Sequence, residues 1–135
     1  YITLSEYPHM RTEDVQIWNR FIEKNPARFL HVFYDFRIGE SAEHHEDCGM
    51  CAKTAWHDLT RWRIDVIGES NEVIYVIEIK PAANAKALGQ ALSYAILFTT
   101  EHKPEKQVVP VVLTDHEIST TKKVAEMLGV KLWIA

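Results

Sequence analysis

Apolar residues recur three and four positions apart in three parts of the chain, which is the spacing that gives a helix one buried face. In the first part the apolar stripe consists of Val15, Trp18, Phe21 and Ile22. A residue whose side chain can cap a helix precedes each part. These caps are Thr12, Asn84 and Ser119. The pattern therefore predicts three helices, and Gly129 is expected to end the third of them.

Five other segments are rich in β-branched and aromatic residues and predict strands. They cover residues 29–38, 59–67, 73–80, 107–114 and 130–134. In the second segment Trp62, Ile64 and Val66 alternate with Arg61, Arg63 and Asp65, so each set is expected on its own face of the sheet. The short turn at 68–72 predicts a hairpin, which makes the first three strands an antiparallel meander. Pro110 in the fourth segment indicates an edge or a bulge.

These elements follow one another in the order α-β-β-β-α-β-α-β. We expect an α/β chain of the α+β type, in which helices pack on a mixed sheet. A length of 135 residues suits one domain, so residues 1–135 are expected to form a single unit. The polar segment at about 39–57 is expected to be a loop inserted between the first two strands.

Composition and charge limit the possible functions. The chain is 47% hydrophobic, and its 15 basic and 19 acidic residues give a formal charge of -4. Nucleic-acid binding through net charge is therefore disfavoured, and it would need a local basic patch or metal ions that neutralise carboxylates. No apolar run reaches the roughly 18 residues of a membrane span, and no targeting segment opens the chain. We expect no membrane contact and a cytoplasmic location, including the host cytoplasm for a phage or mobile-element protein.

The third predicted strand ends in charges although its body is apolar. Glu78 and Lys80 share one face, Ile77 and Ile79 point to the other, and Asp65 on the hairpin partner can lie opposite. A divalent cation between the two carboxylates would remove the cost of burying them. Mg²⁺ takes oxygen ligands, which Asp65, Glu78 and the backbone carbonyl of Ile79 could supply. Such an ion can activate a water for attack on a phosphodiester, while Lys80 orients the water or neutralises charge on phosphorus.

Asp65, followed by Glu78-Ile79-Lys80 and then by a helix, resembles the PD-(D/E)XK nuclease superfamily. The resemblance covers about residues 12–114, and the last helix and strand would be additions to a restriction-endonuclease-like αβββαβ core. Ile64 stands where the Pro of the superfamily's name would be. Gln90 and Tyr94, four residues apart on the second helix, resemble the Q-x-x-x-Y motif of the RecB-like branch.

The resemblance implies a catalytic site of Asp65, Glu78 and Lys80, supported by Gln90 and Tyr94. It also implies an acidic residue on the first helix. Glu13 is our first choice, with Asp14 and Glu23 as alternatives. Three basic residues are candidate contacts with nucleic-acid phosphates: Arg61, Arg63 and Lys86.

The implied activity is that of a Mg²⁺- or Mn²⁺-dependent deoxyribonuclease, an endonuclease or an exonuclease, acting on DNA as a monomer or homodimer. A Holliday-junction-type resolvase acting as a dimer is an alternative. A non-catalytic module that binds nucleic acid, or a zinc-stabilised interaction module, is another. The tryptophans, Trp62 among them, are expected to pack in or near the core rather than to stack on bases.

A second cluster of potential ligands lies in the polar loop segment. Cys48 and Cys51 form a C-x-x-C motif, and His44 or His45 together with His57 could complete a tetrahedral zinc site. With four protein ligands such a site would be structural. A polar loop with two reduced thiols and a redox-active pair are the alternatives.

Overall fold

The computed structural model describes residues 1–39 and 62–135. Within these ranges the elements are, in chain order, α1 (Thr12–Lys24), β1 (His31–Ile38), β2 (Trp62–Glu69), β3 (Val73–Ile79), α2 (Ala85–His102), β4 (Gln107–Thr114), α3 (Ser119–Leu128) and β5 (Lys131–Ile134). The strands form one sheet in the order β1-β2-β3-β4-β5. The first three are antiparallel, and β4 and β5 run parallel to β3. The predicted α+β fold, with its mixed sheet and element order, is confirmed.

The helix ends depend on local capping. Asn84 caps α2 as predicted, since its side-chain oxygen accepts a 2.9 Å hydrogen bond from the N–H of Ala87. Thr12 and Ser119 are the first residues of α1 and α3, so the N-cap of each helix is the residue before them. Gly129 ends α3 in a left-handed conformation with φ +73°, again as predicted. In the part of the chain that the structure describes, no helix has the length and apolar character needed to cross a membrane.

The helices cover both faces of the sheet. Apolar residues of α1, with the fully buried Trp18 among them, pack against one face, here called the α1 face. Ala95 and Phe98 of α2 pack against the opposite face, here called the α2 face. Strand β3 alternates regularly between these faces, with Ile77 on the α1 face and Val76 on the α2 face.

Pro110 lies inside the sheet, yet at a place where the missing N–H is tolerated. It is opposite Val76 of β3, while β5 pairs with β4 only from Val111 onward. On that side Pro110 has no neighbouring strand among the described residues. The predicted edge character therefore holds for this position and not for β4 as a whole.

The alternation of β1 and β2 is interrupted in the middle of both strands. Val66 packs on the α1 face, whereas Ile64 packs on the α2 face. Tyr34 and Phe36 of β1, which pair with these two residues, divide between the faces in the same way. The single face predicted for Trp62, Ile64 and Val66 is therefore wrong. The switch occurs at the two residues in between, Asp35 and Asp65.

Candidate active site

Strands β2 and β3 separate toward the C-terminal end of β3, where acidic side chains lie on both. Their backbone pairing ends with Val66 opposite Ile77. Beyond this pair the Ile79 N–H donates a 2.9 Å hydrogen bond to Oδ2 of Asp65 instead of to the β2 backbone. The carboxyl group of Asp65 also hydrogen-bonds with the side chain of Glu78. The two acidic groups expected to lie close together are thus brought into direct contact.

Burial makes both carboxyl groups hard to ionise. Burial raises the pKa of Glu78 to about 9, and the nearby Asp65 carboxylate is the next cause. Burial also raises the pKa of Asp65 to about 6, against the opposing effect of the Ile79 N–H. The pair therefore retains a proton at neutral pH. A cation bound between the two groups would replace that proton and cancel their repulsion.

Lys80 stands at the charged end of β3. Its N–H donates a 2.9 Å hydrogen bond to the carbonyl of Leu113, so pairing with β4 fixes the Lys80 backbone just past the strand. The positive charge of Lys80 acts to lower the pKa of Glu78 and to lower that of Asp14. Lys80 is therefore close enough to the carboxyl pair to contribute its charge there.

Of the three acidic candidates on the first helix, Asp14 is the one whose charge reaches the carboxyl pair. Asp14 acts on the site, since its charge raises the pKa of both Asp65 and Glu78. Burial raises the pKa of Asp14 itself. Glu13 is exposed, and Glu23 is exposed at the far end of α1. Successive helical residues point about 100° apart, so Asp14 and Glu13 point in different directions.

Gln90 and Tyr94 approach the carboxyl pair from α2. Burial raises the pKa of Tyr94, followed by the charges of Glu78 and Asp65, while a hydrogen bond from Gln90 lowers it. The two motif residues are therefore in contact with each other, and the tyrosine is near the acidic groups.

The aromatic ring of Tyr94 also lies edge-on to Trp62, with ring centres 5.8 Å apart. Trp62 is 53% exposed, although the sequence pattern assigned it to packing. This aromatic pair borders two cavities. One has a volume of about 310 Å³ and is lined by Asp65, Arg63, Asp35 and His9. The other, of about 390 Å³, is lined by Lys86 and Gln90. A candidate basic residue thus lies in each cavity.

A larger cavity of about 500 Å³ lies between α3 and β5, bordered by Glu117, Lys122 and Trp133. It contains none of the residues of the carboxyl pair. We place the candidate site at the smaller cleft because the perturbed acidic groups, the lysine and the tyrosine all converge there.

Two residues of the cleft were not identified from the sequence. Asp35 is a charged residue within the aromatic segment FLHVFYDFRI, and that interruption was a usable signal. His9 precedes the first helix in a segment without periodicity, and no pattern singles it out.

The predicted zinc ligands His44, His45, Cys48, Cys51 and His57, and also Arg61, lie outside the described residues. The zinc site therefore stays a prediction. Within residues 1–39 and 62–135 no group of three or more His, Cys, Asp or Glu side chains is arranged to hold a metal ion. The candidate site offers two carboxyl groups, which is enough for an ion such as Mg²⁺ that keeps several water ligands.

Comparison with known proteins adds a shared fold. No family model and no curated protein matches the chain. A repair endonuclease from Pyrococcus abyssi matches with a TM-score of 0.54 and 17% identity, over 98% of this chain and 49% of that one. EndoMS in a complex with double-stranded DNA matches with a TM-score of 0.54 and 18% identity, over 98% of this chain and 48% of that one. The chain has the fold of these endonucleases.

The chain spans about half the length of these two proteins. A crystal structure described as protein of unknown function AF1548 also matches, with a TM-score of 0.53 and 16% identity. This match covers 89% of the present chain and 56% of the other. At these identities the likeness concerns the fold and not the site residues.

Proposed function

We propose that this chain is a metal-dependent DNA nuclease domain that hydrolyses phosphodiester bonds. The observation that carries the proposal is the contact between the Asp65 and Glu78 carboxyl groups, with Lys80 nearby, where β2 leaves β3. The fold shared with a repair endonuclease and with a protein solved on double-stranded DNA supports it. Residues 1–135 would form a single nuclease-like domain, with residues 39–57 as a loop insertion.

The residues of the site fit a hard divalent cation. Two neighbouring carboxyl groups whose pKa values are both raised by burial form an oxygen donor set that Mg²⁺ or Mn²⁺ would stabilise. Asp65 and Glu78 would hold the ion, together with the backbone carbonyl of Ile79. A bound ion of this kind supplies Lewis-acid polarisation of a phosphodiester and activation of water.

The other side chains of the site would act on the substrate and on the carboxyl pair. The Lys80 ammonium group would neutralise negative charge that develops on the phosphoryl oxygens. Gln90 would orient the Tyr94 hydroxyl through their hydrogen bond. Arg63 and Lys86, one in each of the two adjoining cavities, would hold phosphates of the same strand.

The test is cleavage of a panel of labelled single-stranded, duplex and branched DNA, with and without Mg²⁺ or Mn²⁺. Asp65→Ala, Glu78→Ala and Lys80→Ala should each lower the cleavage rate by at least about 100-fold. Glu72→Ala, which removes an exposed carboxylate from the β2–β3 turn, is the matched control and should cleave like the wild type. Circular dichroism should show that all four variants are folded.

Cleavage that survives in all three site variants would refute the proposal. Binding without cleavage by the wild type would favour the non-catalytic alternative instead. Cleavage restricted to branched DNA by a dimer would favour the junction resolvase.

A further inference from the structure

Asp35 has an unusual backbone conformation in the middle of β1. Its φ is +51°, in the left-handed region, which few residues other than glycine adopt within a strand. Tyr34 and Phe36 on either side remain paired with β2, so the strand continues through the irregular residue. Such a conformation is strained and persists where the surrounding structure imposes it.

The backbone conformation turns the side chain of Asp35 toward the cleft that holds Asp65. Both aspartates line the same cavity, and the charge of Asp35 contributes to raising the pKa of Asp65. A further negative charge opposes ionisation of the carboxyl pair. The chemistry of the pair therefore gives no reason for an acidic residue at position 35.

Basic groups from three parts of the chain surround Asp35, and they supply that reason. Its carboxylate lies 3.9 Å from Nε of Arg63 on β2, 3.5 Å from the Arg37 guanidinium on β1, and 3.4 Å from Nε2 of His9. The side chain of Asp35 is only 14% exposed, whereas those of Arg63 and His9 are 39% and 51% exposed. The carboxylate is thus enclosed, while the side chains of Arg63 and His9 are open to solvent.

His9 reaches the cleft because the N-terminal segment is anchored beside it. Tyr7 is buried, its ring packs on Tyr34 at 4.8 Å, and its hydroxyl donates a 2.6 Å hydrogen bond to Asn19 of α1. The Met10 N–H closes a turn on the carbonyl of Tyr7 across His9, which itself has φ +58°. Two left-handed residues from distant segments thus meet where the His9 ring approaches the Asp35 carboxylate.

We propose that Asp35 is a positioning residue that holds Arg63 and His9 at one side of the cleft, where these two side chains bind one phosphate of the substrate strand. The inference rests on the proposed nuclease function and adds the group that orients the substrate beside the carboxyl pair. Arg63 supplies the charge and the directed donors, and His9 supplies a second donor beside it.

The test uses DNA binding in the presence of a chelator, so that it is independent of cleavage. Asp35→Asn keeps the size of the side chain and tolerates a positive φ, but it removes the charge. It should raise the Kd for a short labelled duplex or single strand about 10-fold, and Arg63→Gln should do the same. In cleavage assays Asp35→Asn should raise KM by a similar factor and change kcat by less than about twofold.

A double-mutant cycle distinguishes positioning from a general effect on charge or stability. If Asp35 acts through Arg63, then Asp35→Asn should have little further effect on the Kd of the Arg63→Gln variant. The slope of log Kd against log salt should fall by about 0.9 in Arg63→Gln, as expected for one lost contact with a duplex phosphate. Glu69→Gln is the matched control, because Glu69 pairs with Lys106 at the other end of β2.

Asp35→Gly provides a second variant in case the Asp35→Asn substitution disturbs folding. Glycine relieves the left-handed backbone and lacks the carboxylate, so DNA binding should weaken while the melting temperature stays equal or rises. Wild-type binding by Asp35→Gly, additive effects in the cycle, or a wild type that binds no DNA would each overturn the inference. Cleavage that survives in Asp65→Ala, Glu78→Ala and Lys80→Ala would instead overturn the nuclease proposal, so the two failures are distinguishable.

Discussion

Replacing Glu78 by glutamine should stabilise the protein at neutral pH in the absence of divalent cations. The pKa of Glu78 is raised from its ordinary value of 4.5 to about 9, chiefly by burial. In the unfolded chain Glu78 ionises near pH 4.5, whereas in the folded protein it must stay protonated. Stability from this group is therefore complete below about pH 4.5 and is lost as the pH rises toward 9.

The size of the effect follows from the difference in proton binding. Between pH 4.5 and pH 9 the wild type should lose about 1.4 kcal/mol of unfolding free energy per pH unit from this group. At pH 7 the accumulated loss reaches about 3 kcal/mol as an upper figure, because water in the cleft screens part of it. The glutamine side chain of the Glu78→Gln variant carries no charge at any of these pH values, so the variant avoids this loss.

Urea unfolding of both proteins at pH 5, 6, 7 and 8, with a chelator present, measures the difference. The advantage of the Glu78→Gln variant should be small at pH 5 and grow with pH. Adding Mn²⁺ at pH 7 should stabilise the wild type and leave the variant almost unchanged. Glu72→Gln, in the exposed turn, should follow the wild type at every pH. The reasoning would be refuted if the Glu78→Gln variant were less stable than the wild type at pH 7, or if the difference in unfolding free energy did not change with pH.

Three other outcomes can be measured on the same protein. Gly68→Ala should lower the unfolding free energy measured in urea by about 1–3 kcal/mol, because a Cβ at this position would lie 2.5 Å from the buried Phe29 ring. Gly89→Ala is the control, since open space surrounds that position, and it should cause no such loss. Asn84→Ala should cost about 1 kcal/mol in thermal unfolding through loss of the α2 cap, and an unchanged melting temperature would contradict this. The Kd for Mn²⁺, measured by titration calorimetry, should fall by up to about 10-fold per pH unit from pH 6 to 8, because binding displaces the proton on Glu78. A Kd that stays constant over this range would count against the site.

The sequence was sufficient for the fold and for the alternation of β3. This strand is regular, so alternation correctly assigned Val76 to one face and Ile77 and Ile79 to the opposite face. The capping residue of α2 was also readable, because Asn84 acts on its own helix. These predictions depend only on local spacing.

The choice between Glu13 and Asp14 could not be made in the same way. Both lie in the first turn of α1, and both suit the positive end of the helix. Which of them faces the carboxyl pair depends on how α1 sits against the separated ends of β2 and β3. That arrangement is set by tertiary packing and not by the pattern within the helix.

The failed prediction of alternation in β2 concerns the same residues as the candidate chemistry. In an unbroken ladder the Ile79 N–H would bond to the β2 backbone, and Asp65 would be one more side chain on a covered face. Because β2 switches faces at Asp65, that N–H bonds to the carboxylate and holds it against Glu78. The matching switch at Asp35, which lies across from Asp65 on β1, turns a second carboxylate toward the cleft, where it contacts His9 and Arg63. Alternation with a period of two identifies the strands but does not show where a strand becomes irregular. In this chain the candidate site lies where the alternation breaks.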